Sequence, residues 1–193
     1  KTYYNKIQII DIKKDKTPIS IYGLPENPKI TNFVWSPDEK KIAMTNTTPS
    51  GVELWILNVS SRTAKKLNSA PINASMGNSI NWLKNGKEIL VKFLPKNRKE
   101  IINQSDIIPA GPKVTENNGE KAQNRTYQDL IKNPTDAKNF KILSESEIWI
   151  VNLDGSSRKF LNKNLFRNIS VSPNGEFVMI SFLKEPFSYL VPF

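Results

Sequence analysis

The sequence predicts an all-β fold, a partial β-propeller of about three four-stranded antiparallel blades that carries one inserted arm with a short helix. Three observations lead to this prediction: strand-like alternation of apolar and polar residues, polar turns between the strands, and two motifs that each recur with a period of 47 residues. A repeat of about 40–50 residues with several short strands is typical of propeller blades. The alternative is a β-sandwich, which would not place two separate motifs at one shared period.

The first motif is a strand with Trp and Ile near its centre. Residues 53–59 read ELWILNV, and residues 147–153, which lie 94 positions later, read EIWIVNL. The strand at residues 7–12, which lies 47 positions before the first copy, has the same alternation. We therefore expect Trp55 and Trp149 to be core aromatics at equivalent places on equivalent strands.

The second motif is a strand, a tight turn and the start of another strand. Its copies are residues 33–38 (FVWSPD), 80–85 (INWLKN) and 169–175 (ISVSPNG). Trp35 and Trp82 are again 47 residues apart. Pro, Asn, Asp and Gly fix the backbone of tight turns by preset or positive φ angles. The two motifs together predict a repeating unit of four short antiparallel strands.

The period divides the chain into blades. We expect a partial blade at residues 3–21, complete blades at 30–67 and 79–161, and another partial blade at 166–193. Because propellers typically close with about four to eight blades, the sequence predicts a piece of a longer polypeptide.

Residues 95–145 are predicted to be an insertion within the blade at 79–161. Between residues 97 and 139, three prolines, an Asn-Asn-Gly turn and the lack of sustained alternation do not allow four strands. Long insertions of this kind tend to be functional or disordered. Thr126 and Asp129 have capping-box spacing, which predicts a short helix over residues 126–131 that Asn133 and Pro134 end.

The composition excludes much catalytic chemistry. The 193 residues contain no His and no Cys, which removes the usual general base, the thiol nucleophile and most metal ligands. There is no Gly-x-Ser-x-Gly nucleophile turn and no glycine-rich phosphate loop. We therefore expect no catalytic residue, no metal site and no cofactor in this chain.

The net charge of +10 raises the question of a nucleic-acid partner. The surplus is +5 in residues 1–70 and +5 in residues 71–193, and only five of the 28 basic residues are Arg. Because Arg is favoured for base and phosphate recognition, we expect a solvated basic surface and no nucleic-acid partner. Apolar runs of four residues at most also predict no membrane span.

A family resemblance rests on three segments: residues 108–112 (IPAGP), 125–130 (RTYQDL) and 146–155 (SEIWIVNLDG). Together with the blade strands, they resemble the N-terminal propeller of the prolyl-oligopeptidase family of serine peptidases, most closely its glutamyl-endopeptidase-like branch. Residues 186–192 (PFSYLVP) are similar to the segment that precedes the next blade strand in those proteins.

The resemblance implies a parent protein in which a propeller covers an α/β-hydrolase domain with a Ser-Asp-His triad. That domain is not part of the 193 residues. The chain would then control the access of small or unfolded peptides to a bacterial or organellar peptidase, periplasmic or secreted if bacterial; no signal peptide is visible in the sequence. Dipeptidyl peptidases of this family carry an adjacent Glu pair on a propeller arm, and no such pair occurs here.

A non-enzymatic periplasmic propeller that acts as a protein-interaction scaffold is the alternative function. Such a scaffold has no need of an insertion of some 45 residues, whereas a peptidase propeller can use one to line its cleft. The insertion therefore favours the peptidase.

Candidate substrate-binding residues lie in the insertion. A cleft for acidic side chains needs a positive group, and Arg125 fits because guanidinium stays ionised and pairs bidentately with carboxylates. Tyr127 could pack against a peptide and donate a hydrogen bond. The alternative is that Arg125 only pairs with Asp129 or anchors the insertion. Four carboxylates in or beside the insertion could meet a ligand amine, although solvation is the usual state of surface acids: Glu116, Glu120, Glu145 and Glu147.

Overall fold

The structure, a computed structural model, describes residues 2–13, 16–68, 70–103, 111, 119 and 131–187, and antiparallel strands are its main elements. The elements in chain order are β1 (Gln8–Ile9), β2 (Ile19–Ser20), β3 (Ile30–Trp35), β4 (Lys41–Thr48), β5 (Gly51–Asn58), β6 (Thr63–Asn68), β7 (Ile80–Trp82), β8 (Glu88–Phe93), α1 (Pro134–Ser144), β9 (Ser146–Asn152), β10 (Ser157–Asn164), β11 (Phe166–Val171) and β12 (Val178–Phe182). The predicted all-β class with one short helix is confirmed.

The strands form four sheets, which we number in chain order. Sheet 1 is β1-β2, sheet 2 is β3-β4-β5-β6, sheet 3 is β7-β8-β9-β10, and sheet 4 is β11-β12. Every neighbouring pair is antiparallel. Sheets 2 and 3 are therefore the four-stranded meanders that the 47-residue period predicts, with a two-stranded sheet before and after them.

Successive sheets pack face to face because consecutive side chains of a strand point to opposite faces. On β4, Met44 contacts the cluster shared with sheet 1, whereas Ala43 contacts the cluster shared with sheet 3. On β8, Val91 faces sheet 2 and Leu90 faces the cluster shared with β11. Three apolar interfaces thus join four sheets in sequence, which is the arrangement of a partial β-propeller.

The two tryptophans of the first motif occupy equivalent positions, as predicted. Trp55 lies opposite Met44 and Lys66 on the third strand of sheet 2. Trp149 lies opposite Val91 and Lys159 on the third strand of sheet 3. Each indole faces the preceding sheet.

The tryptophans of the second motif differ in burial. Trp82 is 6% exposed and its Nε1 donates a hydrogen bond to the carbonyl of Val34 at 2.9 Å. Trp35 is 53% exposed. Trp82 packs against the four-stranded sheet 2, whereas only the two-stranded sheet 1 lies before Trp35.

The chain divides into two units, Lys1–Asn97 with Ser144–Leu183 and Arg98–Leu143 with Lys184–Phe193. The first unit contains all the described strands. In the second unit, Asn139 exchanges two 2.8 Å hydrogen bonds with the backbone of Ile102, and the rings of Phe140 and Phe187 meet edge to face at 5.1 Å.

Helix α1 begins at Pro134, directly after Asn133, where the sequence predicts that a helix ends. Asn133 Oδ1 accepts a hydrogen bond from the backbone N–H of Asp136 at 2.9 Å, which is the contact of an N-cap residue. Pro134 takes the first helical position, where its missing N–H is not needed. The helix predicted over residues 126–131 lies, except for Ile131, outside the described residues, and Ile131 is not helical.

Candidate functional site

The predicted substrate-binding residues Arg125 and Tyr127 lie outside the described residues, as do Glu116 and Glu120. Their proposed roles stay predictions.

The two remaining candidate acids hold sheet 3 together. Glu145 forms an ion pair with Lys163 at 3.2 Å. Glu147 accepts hydrogen bonds from Lys159 Nζ at 2.7 Å and from Trp149 Nε1 at 3.0 Å. Both carboxylates therefore have cationic partners within their own blade, so they are not free for a ligand amine.

The Glu-Trp-Lys cluster of sheet 3 recurs in sheet 2. Glu53 accepts hydrogen bonds from Lys66 Nζ at 2.7 Å, from Trp55 Nε1 at 2.8 Å and from Asn46 Nδ2 at 3.1 Å. Burial raises the pKa of Glu53, but these three hydrogen bonds outweigh it and the net pKa is lowered. The repeated Glu-x-Trp sequence thus encodes a cross-strand clamp in each complete blade.

A buried lysine connects sheet 3 to sheet 4. Lys92 on β8 is 1% exposed, and its ammonium donates to the carbonyls of Met76, Phe166 (3.4 Å) and Arg167 (2.9 Å). Burial lowers the pKa of Lys92 to about 8. Because three carbonyls fill its donors and its surface is covered, Lys92 holds the structure together and offers no group to a ligand.

The turns after the first strands of sheets 2 and 4 share one side-chain hydrogen-bond pattern. Ser36 Oγ accepts from the N–H of Lys41 at 2.9 Å and donates to Asp38 at 2.6 Å. Ser172 makes the same two contacts, with Phe177 at 2.9 Å and Asn174 at 2.6 Å. The Ser-Pro-Asp and Ser-Pro-Asn sequences therefore specify the same turn.

These turns are neighbours along the blades. Gly86 in the β7–β8 turn faces the carboxylate of Asp38, and Gly175 in the β11–β12 turn faces the side chain of Lys84. Both glycines have positive φ, +63° and +80°, so a side chain at either position would be strained, and at Gly175 its Cβ would also lie only 2.6 Å from Lys84 Cβ. The glycines allow the turns of successive sheets to approach closely at one end of the strands.

A cavity of about 310 Å³ opens between sheets 2 and 3 at this end. The residues that line it are Lys41, Ile56, Asn58, Ser61, Thr63, Lys65 and Leu153. Ile56 is 4% exposed and provides an apolar floor, whereas the walls carry hydroxyl, amide and ammonium groups. No lining residue is acidic, so the cavity has the chemistry of a small anion-binding site.

The charges at the cavity are only partly compensated. Lys41 Nζ lies 3.9 Å from the carboxylate of Asp38, which also accepts hydrogen bonds from Ser36 and the backbone of Lys40. The hydrogen bond from Ser36, followed by that from Lys40, lowers the pKa of Asp38. The ammonium group of Lys65 has no hydrogen bond or ion pair with any residue in the described part of the chain.

The sequence alone does not predict this cavity. Lys41 and Lys65 are two of 23 lysines, and their convergence depends on strand register. The signal in the sequence is the repeat: Glu88, 47 residues after Lys41, is an anion, so equivalent positions of the two blades differ in charge.

No group of three or more Asp or Glu residues in the described part of the chain could hold a metal ion. No helix in that part of the chain has the length and apolar character to cross a membrane.

The face-to-face four-stranded meanders define the chain as a propeller-type protein, and comparison with known proteins specifies its relatives. It is 30% identical over 182 residues to a probable chloroplastic glutamyl endopeptidase of Oryza sativa subsp. japonica, and 30% identical over 181 residues to one of Arabidopsis thaliana. These matches cover 89% of this chain and 19% and 18% of the relatives, so the chain spans about a fifth of their length. The predicted resemblance to the glutamyl-endopeptidase-like branch of the prolyl-oligopeptidase family is confirmed.

Solved structures give weaker matches. The Pyrococcus horikoshii acylaminoacyl peptidase is 16% identical, with a TM-score of 0.45, over 92% of this chain and 23% of that one. No family model matches the chain.

Proposed function

We propose that this chain is the propeller part of a serine peptidase that cleaves peptides after acidic residues, and that it controls substrate access without supplying a catalytic residue. The observation that carries the proposal is the 30% identity over 182 residues to a protein named a glutamyl endopeptidase. The match extends over 89% of this chain, so it includes the blades and not one motif alone.

The residue types in the chain support the proposal that it supplies no catalytic residue. A serine peptidase triad needs a general base, which is usually His, and the 193 residues contain none. The base and the nucleophile would therefore belong to another part of the parent protein. We further propose that this parent is exported to the periplasm or the cell exterior, or to an organelle.

The first test compares the chain with the parent protein. The purified 193-residue chain should not hydrolyse chromogenic peptides with Glu before the scissile bond, and a fluorophosphonate probe should not label it. The parent should do both, and should cleave the Glu peptide faster than its Gln counterpart. Activity that copurifies with the chain through several columns would contradict the non-catalytic role. A parent reading frame with no nucleophile turn would favour the scaffold alternative.

The predicted role of Arg125 can be tested in the same parent. Arg125→Ala should lower kcat/KM for the Glu peptide, with a loss of about 2–4 kcal/mol of transition-state stabilisation if it removes a buried charge pair. The loss for an apolar peptide should be much smaller. Arg98→Ala is the matched control, because Arg98 donates to the carbonyl of Ile142 at 3.2 Å in the same unit. Equal losses on both peptides would mean that Arg125 only anchors the insertion.

A further inference from the structure

The two complete blades carry different charges at one pair of equivalent positions. In sheet 3, Glu88 on β8 and Arg158 on β10 form an ion pair across β9, with 3.2 Å between Nη2 and Oε1. In sheet 2 the equivalent positions hold Lys41 and Lys65. The blade that lines the cavity thus has two cations where the next blade has a cation and an anion.

Strand register establishes this equivalence. Counted from Trp55 and Trp149, the third strands of the two sheets align residue for residue. Four cross-strand pairs then correspond: Lys41 with Asn58, Lys65 with Ile56, Glu88 with Asn152, and Arg158 with Ile150.

The side chains of both pairs project to the same kind of face. Ile56 belongs to the cluster between sheets 2 and 3, and Ile150 to the cluster between sheets 3 and 4. Since neighbouring strands lie about 4.8 Å apart, β4 and β6 are separated by about 10 Å, a span that two lysine side chains can bridge through one anion. The ion pair of sheet 3 shows where that anion would lie.

We propose that the cavity between sheets 2 and 3 binds a carboxylate of an acidic peptide, which takes the place that the Glu88 carboxylate has in the next blade. Lys41 and Lys65 contribute the charge, and the hydroxyls of Ser61 and Thr63 line the same wall. Ile56 and Leu153 provide apolar contact for the methylene groups of the ligand.

The choice of a peptide as the carrier of the carboxylate rests on the proposed function. Binding by this chain needs no hydrolase, however, so it can be measured without any activity. The site would concentrate acidic substrates at the propeller.

The test measures binding to the 193-residue chain by NMR titration at low ionic strength. The probes are acetyl-Glu-Glu-Glu-amide, its Gln counterpart and inorganic phosphate. We expect the Glu peptide to bind with a millimolar Kd and to shift the amide resonances of Asn58 and Thr63, and the Gln peptide not to bind. Because exposed ion pairs are weak, Lys41→Met and Lys65→Met should each weaken binding about threefold, and together about tenfold.

A matched variant controls for net charge. Lys138→Met removes one charge from α1 in the other unit and should leave the Kd unchanged. A second variant supplies the missing anion from the chain itself. Asp38→Asn with Lys41→Glu copies the sheet 3 arrangement, in which Asn85 Nδ2 donates to Glu88 at 2.6 Å. It should abolish peptide binding while the melting temperature stays the same or rises.

Three results would overturn the proposal. Equal binding of the Glu and Gln peptides would exclude carboxylate recognition. Equal weakening by Lys138→Met would show that only net charge matters. Binding of phosphate without the peptide would assign the cavity to a small inorganic anion. None of these results would affect the proposed peptidase function, which the activity of the parent tests separately.

Discussion

Lys92 is the charged side chain with the least exposed surface in the described part of the chain. A buried ammonium is unfavourable unless its donors are satisfied, because charge loses solvation in an apolar interior. Here backbone carbonyls from residues 76, 166 and 167 accept its hydrogen bonds. The side chain links β8 to the loop after β6 and to β11, beside the apolar cluster that joins sheets 3 and 4.

The lowered pKa of Lys92 predicts a pH dependence of stability. In the unfolded chain the group keeps its proton up to its ordinary pKa of 10.5, whereas in the folded chain it releases the proton at about 8. Between these values the unfolded state binds more protons, so the free energy of unfolding rises with pH. Relative to Lys92→Met, the native chain should gain about 1–3 kcal/mol between pH 8 and pH 10.

Urea unfolding at several pH values would measure this gain. The control is Lys87→Met, which removes an exposed lysine one residue before the same strand. Its difference from the native chain should not change over this pH range. A flat difference for Lys92→Met as well would mean that the three carbonyls keep the ammonium charged in the folded state.

The burial of Lys92 could not be predicted from its own position. The EILVKF sequence of β8 places Lys in a strand, and solvent exposure is the usual state of lysine. Lys92 can be buried because carbonyls of residues distant in sequence accept its hydrogen bonds. The Glu-x-Trp clamps, in contrast, could have been inferred, because the same acid precedes each tryptophan and a lysine follows 13 or 12 residues after that acid, in the next strand.

Helix α1 depends on Asn133 and Asp136 at its first turn. Asn133 Oδ1 accepts from the N–H of Asp136, and Asp136 Oδ2 accepts from the N–H of Lys132 at 3.0 Å and from Asn133 Nδ2 at 3.1 Å. A negative side chain at this end also interacts favourably with the helix dipole. These contacts stabilise an eleven-residue helix, which would be marginal in isolation.

Replacing the N-cap residue should therefore loosen the helix. Asn133→Ala should cost about 1 kcal/mol, whereas Asn133→Ser should retain most of the stability. Hydrogen exchange of the amides of α1 would measure both effects, and β4 and β5 in the first unit serve as the internal reference. Equal protection in the Ala and Ser variants would contradict the capping role.

The sequence misled at this helix because Asn-Pro has two meanings. Pro cannot continue a helix, but it is also favourable at the first helical position after a capping residue. Here the second meaning applies, because Pro134 directly follows the capping residue Asn133. The blades were predictable because each strand repeats both its alternation and its turn residues, so several independent signals agree.

The sheets of the first unit form a stack in which apolar clusters join only successive sheets. Ile56 and Val91 lie in the cluster between sheets 2 and 3, and Ile169 lies in the cluster between sheets 3 and 4. In repeat architectures of this kind, stability is approximately a sum of the units and their nearest-neighbour interfaces. The strands of sheet 4 should then be less protected from hydrogen exchange than those of sheets 2 and 3. Sheet 4 has an apolar cluster on one side only, and Met179 on its other face is 74% exposed.

This arrangement predicts that two large-to-small core substitutions speed hydrogen exchange in different sets of sheets. Ile169→Ala should speed hydrogen exchange in β11 and β12 and leave β4 and β5 unchanged, because only the last interface loses contacts. Val91→Ala should speed exchange throughout sheets 2 and 3, since it opens a cavity in the interface between them. Each substitution should cost about 1–4 kcal/mol where it acts, and residue-resolved native-state exchange measures it directly. If both variants accelerated exchange equally in all four sheets, the stack would unfold as one cooperative unit and the nearest-neighbour description would be wrong.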